Sequence, residues 1–161
     1  MFKLFAKLSA VLGLSAGLLC AAFAQSATPD PQSGLVKVRS AYSVDETIAR
    51  IRKDIADKGI MFFSAVDQSQ LAAGAGIKLN PSTLLTFGNP PLGAQFLTSN
   101  PFSGLDWPVR VLVLQDDSGA VWAAYTDFAW IARRHGIADR EQQFATASGV
   151  VQSITSTIRA Q

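Results

Sequence analysis

Two carboxylates and one guanidinium group are the side chains in this sequence best suited to polar chemistry. Asp67 follows a short apolar run, Asp106 precedes another, and Arg110 lies within that second run. An unpaired cation in an apolar strand would be costly, so Arg110 requires a carboxylate partner, and Asp106 and Asp67 are the candidates. The result is either an ion pair near a sheet edge or an anion-binding arginine in a cleft. In a cleft, Asp67 or Asp106 would serve as general acid or base, with Arg110 as the clamp for an oxyanion or substrate.

The turn at residues 88–90, Gly-Asn-Pro, is a second candidate site. A structural interpretation is that Gly88 tolerates a positive φ angle, Asn89 hydrogen-bonds a neighbouring backbone group, and the prolines at 90 and 91 stiffen the exit. A functional interpretation is that this turn, between a strand and a helix, offers backbone N–H groups and the Asn89 amide to a small polar or anionic ligand. The residues alone leave both interpretations open.

Aromatic residues cluster between positions 107 and 130. Most of these rings are expected in the core, where each buries a large apolar area. Trp107 and Tyr125 stand near the ends of predicted strands, and they could instead line a ligand pocket or a dimer contact. Tyr125 therefore joins Asp67, Asn89, Asp106 and Arg110 as a candidate ligand-binding residue.

Metal, thiol and triad chemistry have little support in the sequence. His135 is the only histidine, and its place near a predicted helix end favours interaction with the helix dipole over general-base catalysis. The only cysteine, Cys20, lies in the N-terminal segment. We therefore predict no metal site and no cofactor, and the catalytic residues of any enzymatic activity remain unknown.

The first 34 residues are typical of an export signal followed by a linker. Lys3 and Lys7 precede an apolar stretch at 8–19 and a small-residue cleavage sequence at 22–24. This stretch is shorter than the roughly 20 residues that a membrane-spanning helix needs. We predict a cleaved signal peptide at 1–24, a disordered leader at 25–34, and one periplasmic or secreted domain at 35–161 with no membrane anchor. Cleavage leaves 12 basic against 12 acidic residues, so no nucleic-acid partner is predicted.

Apolar periodicity and turn residues predict a single α+β domain. Strands are predicted at residues 35–39, 60–66, 84–87, 109–115 and 120–125, the last two joined by a hairpin turn at 116–119. Helices are predicted to begin after Ser43, Asp67, Asp127 and Asp139 and near Pro91, and Gly59 ends the first of them. The strand at 109–115 is almost wholly apolar, which predicts a central position with burial on both faces. The element order favours one mixed or antiparallel sheet of about five strands with helices packed on it.

Several short sequence elements, taken in order, resemble the DUF302 family. They include Phe-Gly-Asn-Pro at 87–90, Leu-Asp-Trp-Pro at 105–108, the turn at 117–119, and Val121-Trp122 followed by Tyr125. The resemblance covers about residues 36–136 and implies a small α+β domain without an agreed biochemical role. Members of that family often carry histidine where this chain has Gln68.

The sequence as a whole favours a binding or interaction module for a small molecule or a protein, with the Asn89 end of the sheet as its site. The alternative is a cell-envelope acid/base enzyme that uses Asp67 or Asp106 with Arg110. A homodimer is also possible, and the last helix is a candidate contact because Ile154 and Ile158 would cover either the sheet or a partner.

Overall fold

Five strands and five α-helices make up the domain. The computed structural model describes residues 29–160, so the predicted signal peptide and positions 25–28 lie outside the described residues. The strands are β1 (Leu35–Arg39), β2 (Met61–Asp67), β3 (Ser82–Gly88), β4 (Val109–Gln115) and β5 (Val121–Thr126). The helices are α1 (Val44–Asp57), α2 (Gln68–Gly74), α3 (Pro90–Ser99), α4 (Phe128–Arg134) and α5 (Glu141–Ser156), with a short 3-10 helix at Pro101–Leu105.

The strands form one antiparallel sheet in the order β1-β5-β4-β3-β2. The predicted α+β class and single five-stranded sheet are confirmed, and β4 occupies the predicted central position. The register runs Lys37, Ala124, Leu112, Leu84 and Val66 in one row across the sheet. Side chains of such a row point to the same face of the sheet.

The core lies on the opposite face of the sheet, beneath α1 and α5. Val111 and Val113 of β4 are fully buried there, as are Ile51 of α1 and Ile154 of α5. Each such side chain contributes about 1.5–3 kcal/mol relative to an exposed position. Ile158, two residues past the end of α5, is equally buried, so the predicted contact surface of Ile154 and Ile158 covers the sheet and is not available to a partner.

The prediction that β4 is buried on both faces is wrong. Leu112 and Leu114 project from the face without the α1 and α5 layer and are only half-buried. Apolar content alone cannot separate a strand buried on two faces from one whose second face is partly open.

Side-chain caps begin three of the helices as predicted. Ser43 accepts a hydrogen bond from Glu46 N, Asp67 from Gln70 N, and Asp127 from Trp130 N. The predicted cap at Asp139 is wrong: α5 begins one residue later, with Arg140 at the cap position and no side-chain cap. The Asp139 carboxylate instead accepts hydrogen bonds from the Ser99 hydroxyl and from Arg140.

Residues 30–34 of the predicted disordered leader form a hydrogen-bonded turn. Gly34 N donates to Asp30 O at 2.7 Å, and Asp127 N donates to Gly34 O at 2.7 Å. Gly34 has a φ angle of 68° and lies against the Trp130 side chain. The lack of apolar periodicity concealed this turn, because backbone bonds, the Asp30 carboxylate and one ring contact hold it in place.

The β4–β5 hairpin turn is organised by the carboxylate of Asp116. It accepts hydrogen bonds from the Ser118 hydroxyl, from the Ser118 and Ala120 N–H groups, and from the Trp122 indole. Gly119 adopts the positive φ of 82° that the turn requires. The Ser118 hydroxyl and the Trp122 indole are the main causes that lower the pKa of Asp116 to about 2.

We expect Asp116→Asn to lower stability at neutral pH and to make stability less sensitive to acid. Because folding lowers the pKa of Asp116, its stabilisation is complete above the unfolded value and is lost as pH falls through about 2. Urea unfolding midpoints at several pH values between 7 and 2 should therefore differ between wild type and variant at pH 7 and converge near pH 2. Asp117→Asn is the control, since Asp117 accepts one side-chain bond, from Asn80. A constant difference across the pH range would contradict the assignment.

Candidate functional site

An apolar pocket of about 350 Å³ lies where β3 ends and β4 begins. It is more enclosed than the surface grooves beside α4 and beside the loop at 78–81. Its volume falls in the range of small-molecule sites, about 300–1,000 Å³. The wall is formed by residues of α3, α5, the strand ends and the connections between elements: Lys58, Ile60, Phe87, Gly88, Asn89, Leu92, Trp107, Val109, Thr146, Ala147, Val150 and Val151.

The indole of Trp107 forms one wall of the pocket and packs directly on two glycines. A Cβ atom at Gly88 would lie 2.7 Å from Trp107 Cζ2, and one at Gly93 would collide with the same ring. Phe96 meets the indole edge-on, with ring centroids 6.3 Å apart. Gly88 is not among the glycines with positive φ, so the predicted reason for this glycine is wrong. It is required because the Trp107 ring leaves no room for a side chain.

Three polar side chains reach this pocket. Lys58 stands just past the end of α1 and pairs with Asp54 at 2.6 Å, with its side chain one-third exposed. Asn89 is the N-cap of α3 and accepts from Leu92 N through its side-chain oxygen, as the structural interpretation predicted. Thr146 is exposed at the wall made by α5.

The backbone at the start of α3 offers a ligand few donors. Pro90 and Pro91 have no N–H group, and the N–H groups of Leu92 and Gly93 both bond to Asn89 O. The predicted role of this turn as a source of free backbone donors is therefore wrong. The Asn89 amide nitrogen bonds to no other protein group within residues 29–160, so it remains available to a ligand.

Asp106, next to Trp107, is the centre of a buried ionic cluster. Its side chain is 4% exposed and accepts from Arg110 Nη2 at 2.9 Å, Arg134 Nη1 at 3.0 Å and His135 Nε2 at 2.7 Å. An ionised carboxylate only accepts hydrogen bonds, so the contact assigns His135 the tautomer with the proton on Nε2. Arg110 also donates to Leu105 O at 2.9 Å. The sequence thus identified the pair of Asp106 and Arg110, whereas Arg134 and His135 were not anticipated as its partners.

This cluster has the features of a structural ion pair and poor geometry for catalysis. Both carboxylate oxygens of Asp106 already accept from cationic or imidazole donors. The cavity beside Asp106 and Arg110 has a volume of only about 10 Å³, enough for about one water molecule. Arg110 lies in the central strand and not at the predicted sheet edge. His135 turns its imidazole into the protein at 6% exposure, so its expected interaction with the helix end is replaced by the contact with Asp106.

The other two sequence candidates lie apart from the pocket. Asp67 is opposite Thr83, at the far end of β2 and β3 from Gly88 and Asn89. Its pKa is lowered by hydrogen bonds from the Ser69 hydroxyl and Gln70 N, as expected of an exposed helix cap. Tyr125 is buried in the core, and burial raises its pKa against the opposing effect of a bond with Thr155. The five candidates therefore do not converge: Asp106 and Arg110 form the cluster, and Asn89 alone lines the pocket.

Comparison with known proteins decides the family. The profile of the domain of unknown function DUF302 matches residues 36–159, which is most of the chain. The chain belongs to the DUF302 family. A crystal structure of an uncharacterized conserved DUF302 protein from Bacillus stearothermophilus has the same fold, with a TM-score of 0.71 at 16% identity. That likeness covers 78% of this chain and 98% of the other.

Curated relatives of this DUF302 domain are longer proteins from Brucella. The chain is 42% identical over 105 residues to a protein of Brucella suis named fluoride-specific ion channel FluC 1. The identity is the same for FluC 1 of Brucella abortus and FluC 2 of Brucella melitensis. Each match covers 65% of this chain but only 39–41% of the relative, so the chain spans about two-fifths of their length.

The described part of the DUF302 domain has neither a cluster of metal-binding side chains nor a membrane-spanning helix. Within residues 29–160, no three or more His, Asp or Glu side chains come close enough to hold a metal ion. Over the same residues, no helix combines the length and the apolar character needed to cross a bilayer.

We expect Asp106→Asn to destabilise the DUF302 domain by about 2–3 kcal/mol, because it removes the charge that three buried or half-buried donors share. Urea unfolding followed by far-UV circular dichroism measures this loss. Asp139→Asn is the matched control: that carboxylate is 58% exposed and pairs with Arg140, so a much smaller change is expected. Equal losses in the two variants would show that the Asp106 cluster is not an anchor.

Proposed function

We propose that this DUF302 domain is an exported module that binds a small organic molecule in the Trp107 pocket. The observation that carries the proposal is the pocket itself: a partly enclosed cavity of about 350 Å³ with mostly apolar walls and a few polar groups. This combination is typical of small-molecule sites. Export is part of the proposal because residues 1–24 have the pattern of a cleaved signal peptide.

The lining favours an amphipathic ligand with a polar or anionic end. Trp107, Leu92 and Val150 offer apolar surface for a ring or short chain. Lys58 supplies an ammonium group that donates one hydrogen bond to Asp54 and, with three N–H groups, can donate further bonds to a ligand. The free amide of Asn89 supplies a further hydrogen bond. A carboxylate or sulfonate on an apolar body would satisfy both ends of such a site.

The names of the Brucella relatives concern fluoride, but the pocket suits that ion poorly. A small anion loses strong hydration on entering an apolar cavity, and few donors here would replace it. The relatives support the proposal in a different way. Their shared 105 residues occupy about two-fifths of longer proteins, which is expected of a module that can be joined to other segments.

We expect Thr146→Phe to block the pocket and reduce probe binding by about tenfold or more. Suitable probes are anilinonaphthalene sulfonate, an apolar anion, and phenylnaphthylamine, its uncharged analogue, both followed by fluorescence titration. The added ring would project from an exposed position of α5 into the pocket mouth.

Ala145→Phe is the matched control for this experiment. Ala145 is the neighbouring exposed residue of the same helix, but it lines the separate groove beside α4. The Ala145→Phe variant should bind both probes with wild-type affinity. One probe per chain could bind saturably and yet be weakened equally by both variants or by neither. Either result would place binding outside the Trp107 pocket.

We expect Lys58→Gln to lower the affinity for the anionic probe by about tenfold, because one charge-assisted contact is lost. The affinity for the uncharged probe should be unchanged. Lys53→Gln is the control: Lys53 also pairs with a carboxylate four residues away, Asp57, but does not line the pocket. Equal loss of both probes in Lys58→Gln would indicate a packing role for this side chain and would contradict an anionic ligand end.

A further inference from the structure

One edge of the sheet is open and the other is protected. β2 pairs with β3 on one side only, and within residues 29–160 its outer side has no strand partner. No backbone hydrogen bond outside the β2–β3 ladder involves residues 61–67. An edge strand presents unpaired N–H and C=O groups that are ready to pair with another chain.

The two edges differ in the side chains that would meet an approaching strand. β1 carries the exposed cations Lys37 and Arg39, and charged side chains discourage edge-to-edge association. β2 has no charged residue from Met61 to Val66. Instead Met61, Phe63 and Val66 are exposed, at 52%, 45% and 37%. Large apolar side chains on an uncharged open edge are expected where a partner covers them.

A β-bulge shapes the edge but leaves most of it regular. The register with β3 shifts between Phe62 and Ser64, and residues 64–67 then pair without interruption. Bulges can protect an edge by twisting it away from a partner. In β2 this protection is confined to the position of Phe63.

We propose that β2 pairs antiparallel with β2 of a second copy of this chain, so that the two sheets join into one continuous sheet across a two-fold axis near Ala65. An antiparallel pairing of a strand with itself is isologous, since each residue meets the same set of residues in the partner. A C2 dimer therefore uses one open edge on each protomer and leaves the β1 edges outermost.

Charge also favours a second copy as the occupant. The uncharged stretch from 61 to 66 brings no like charges together at the centre of the pairing. Asp67 is two residues from the axis, so the two Asp67 residues would lie roughly 13 Å apart. At physiological salt this separation exceeds the Debye length of about 8 Å, and their repulsion is largely screened.

The test compares oligomeric states by size-exclusion chromatography with light scattering. We expect wild type to be a dimer, Val66→Lys to be a monomer, and Leu35→Lys to remain a dimer. Val66 and Leu35 are matched because each is an apolar edge-strand residue with 37% exposure on the same face of the sheet. Val66→Lys should keep the wild-type circular dichroism and probe binding, because Val66 does not line the Trp107 pocket.

Cysteine cross-linking decides the case if Val66→Lys fails to fold. In a Cys20→Ser background, Ala65→Cys should form a disulfide-linked dimer on mild oxidation, since residues facing each other across antiparallel strands have close Cβ atoms. Lys37→Cys at the β1 edge should not. The proposal would be overturned if wild type were a monomer, if folded Val66→Lys were still a dimer, or if Leu35→Lys were a monomer. Cross-linking at Lys37→Cys equal to that at Ala65→Cys would also overturn it.

Discussion

The carboxylate of Asp106 is the interaction on which the geometry of the pocket depends. It joins three parts of the chain. Asp106 follows the 3-10 helix, Arg110 belongs to β4, and Arg134 and His135 lie at the end of α4. The Asn100 side chain adds a bond to His135 O at 2.8 Å, which ties the 3-10 helix to the same place. Trp107 follows Asp106 directly, so the anchored residue fixes where the indole leaves the backbone.

Close packing then makes this anchored residue one wall of the pocket. The Trp107 ring lies against Gly88 and Gly93, where a larger residue would displace it, and its remaining surface faces the pocket. Another wall comes from α5, whose Ala147 and Val151 are buried in the core. The cavity is therefore walled by α3, α5 and the ends of β3 and β4 together with connecting residues, among them Trp107, which the Asp106 cluster holds in place.

Local signals in the sequence predicted most elements, while contacts between distant residues could not be predicted. Ser43, Asp67 and Asp127 cap helices because each interacts within three residues, and Arg110 lies only four residues from Asp106. His135 is 29 residues from Asp106, and nothing local distinguishes it from a helix-end histidine. Gly93 likewise gives no signal, since only the folded position of Trp107 requires it. Asp139 resembled a cap because its competing partner, Ser99, lies 40 residues away.

Native mass spectrometry of the protein isolated from its native cells tests the proposed binding role most directly. If the pocket binds a small organic molecule, we expect each chain to carry one adduct of constant mass that is lost on mild activation. A chain isolated without an adduct should instead bind one added apolar anion per protomer. A bare chain that takes up neither a cellular adduct nor an added apolar anion would contradict a small-molecule role for the Trp107 pocket.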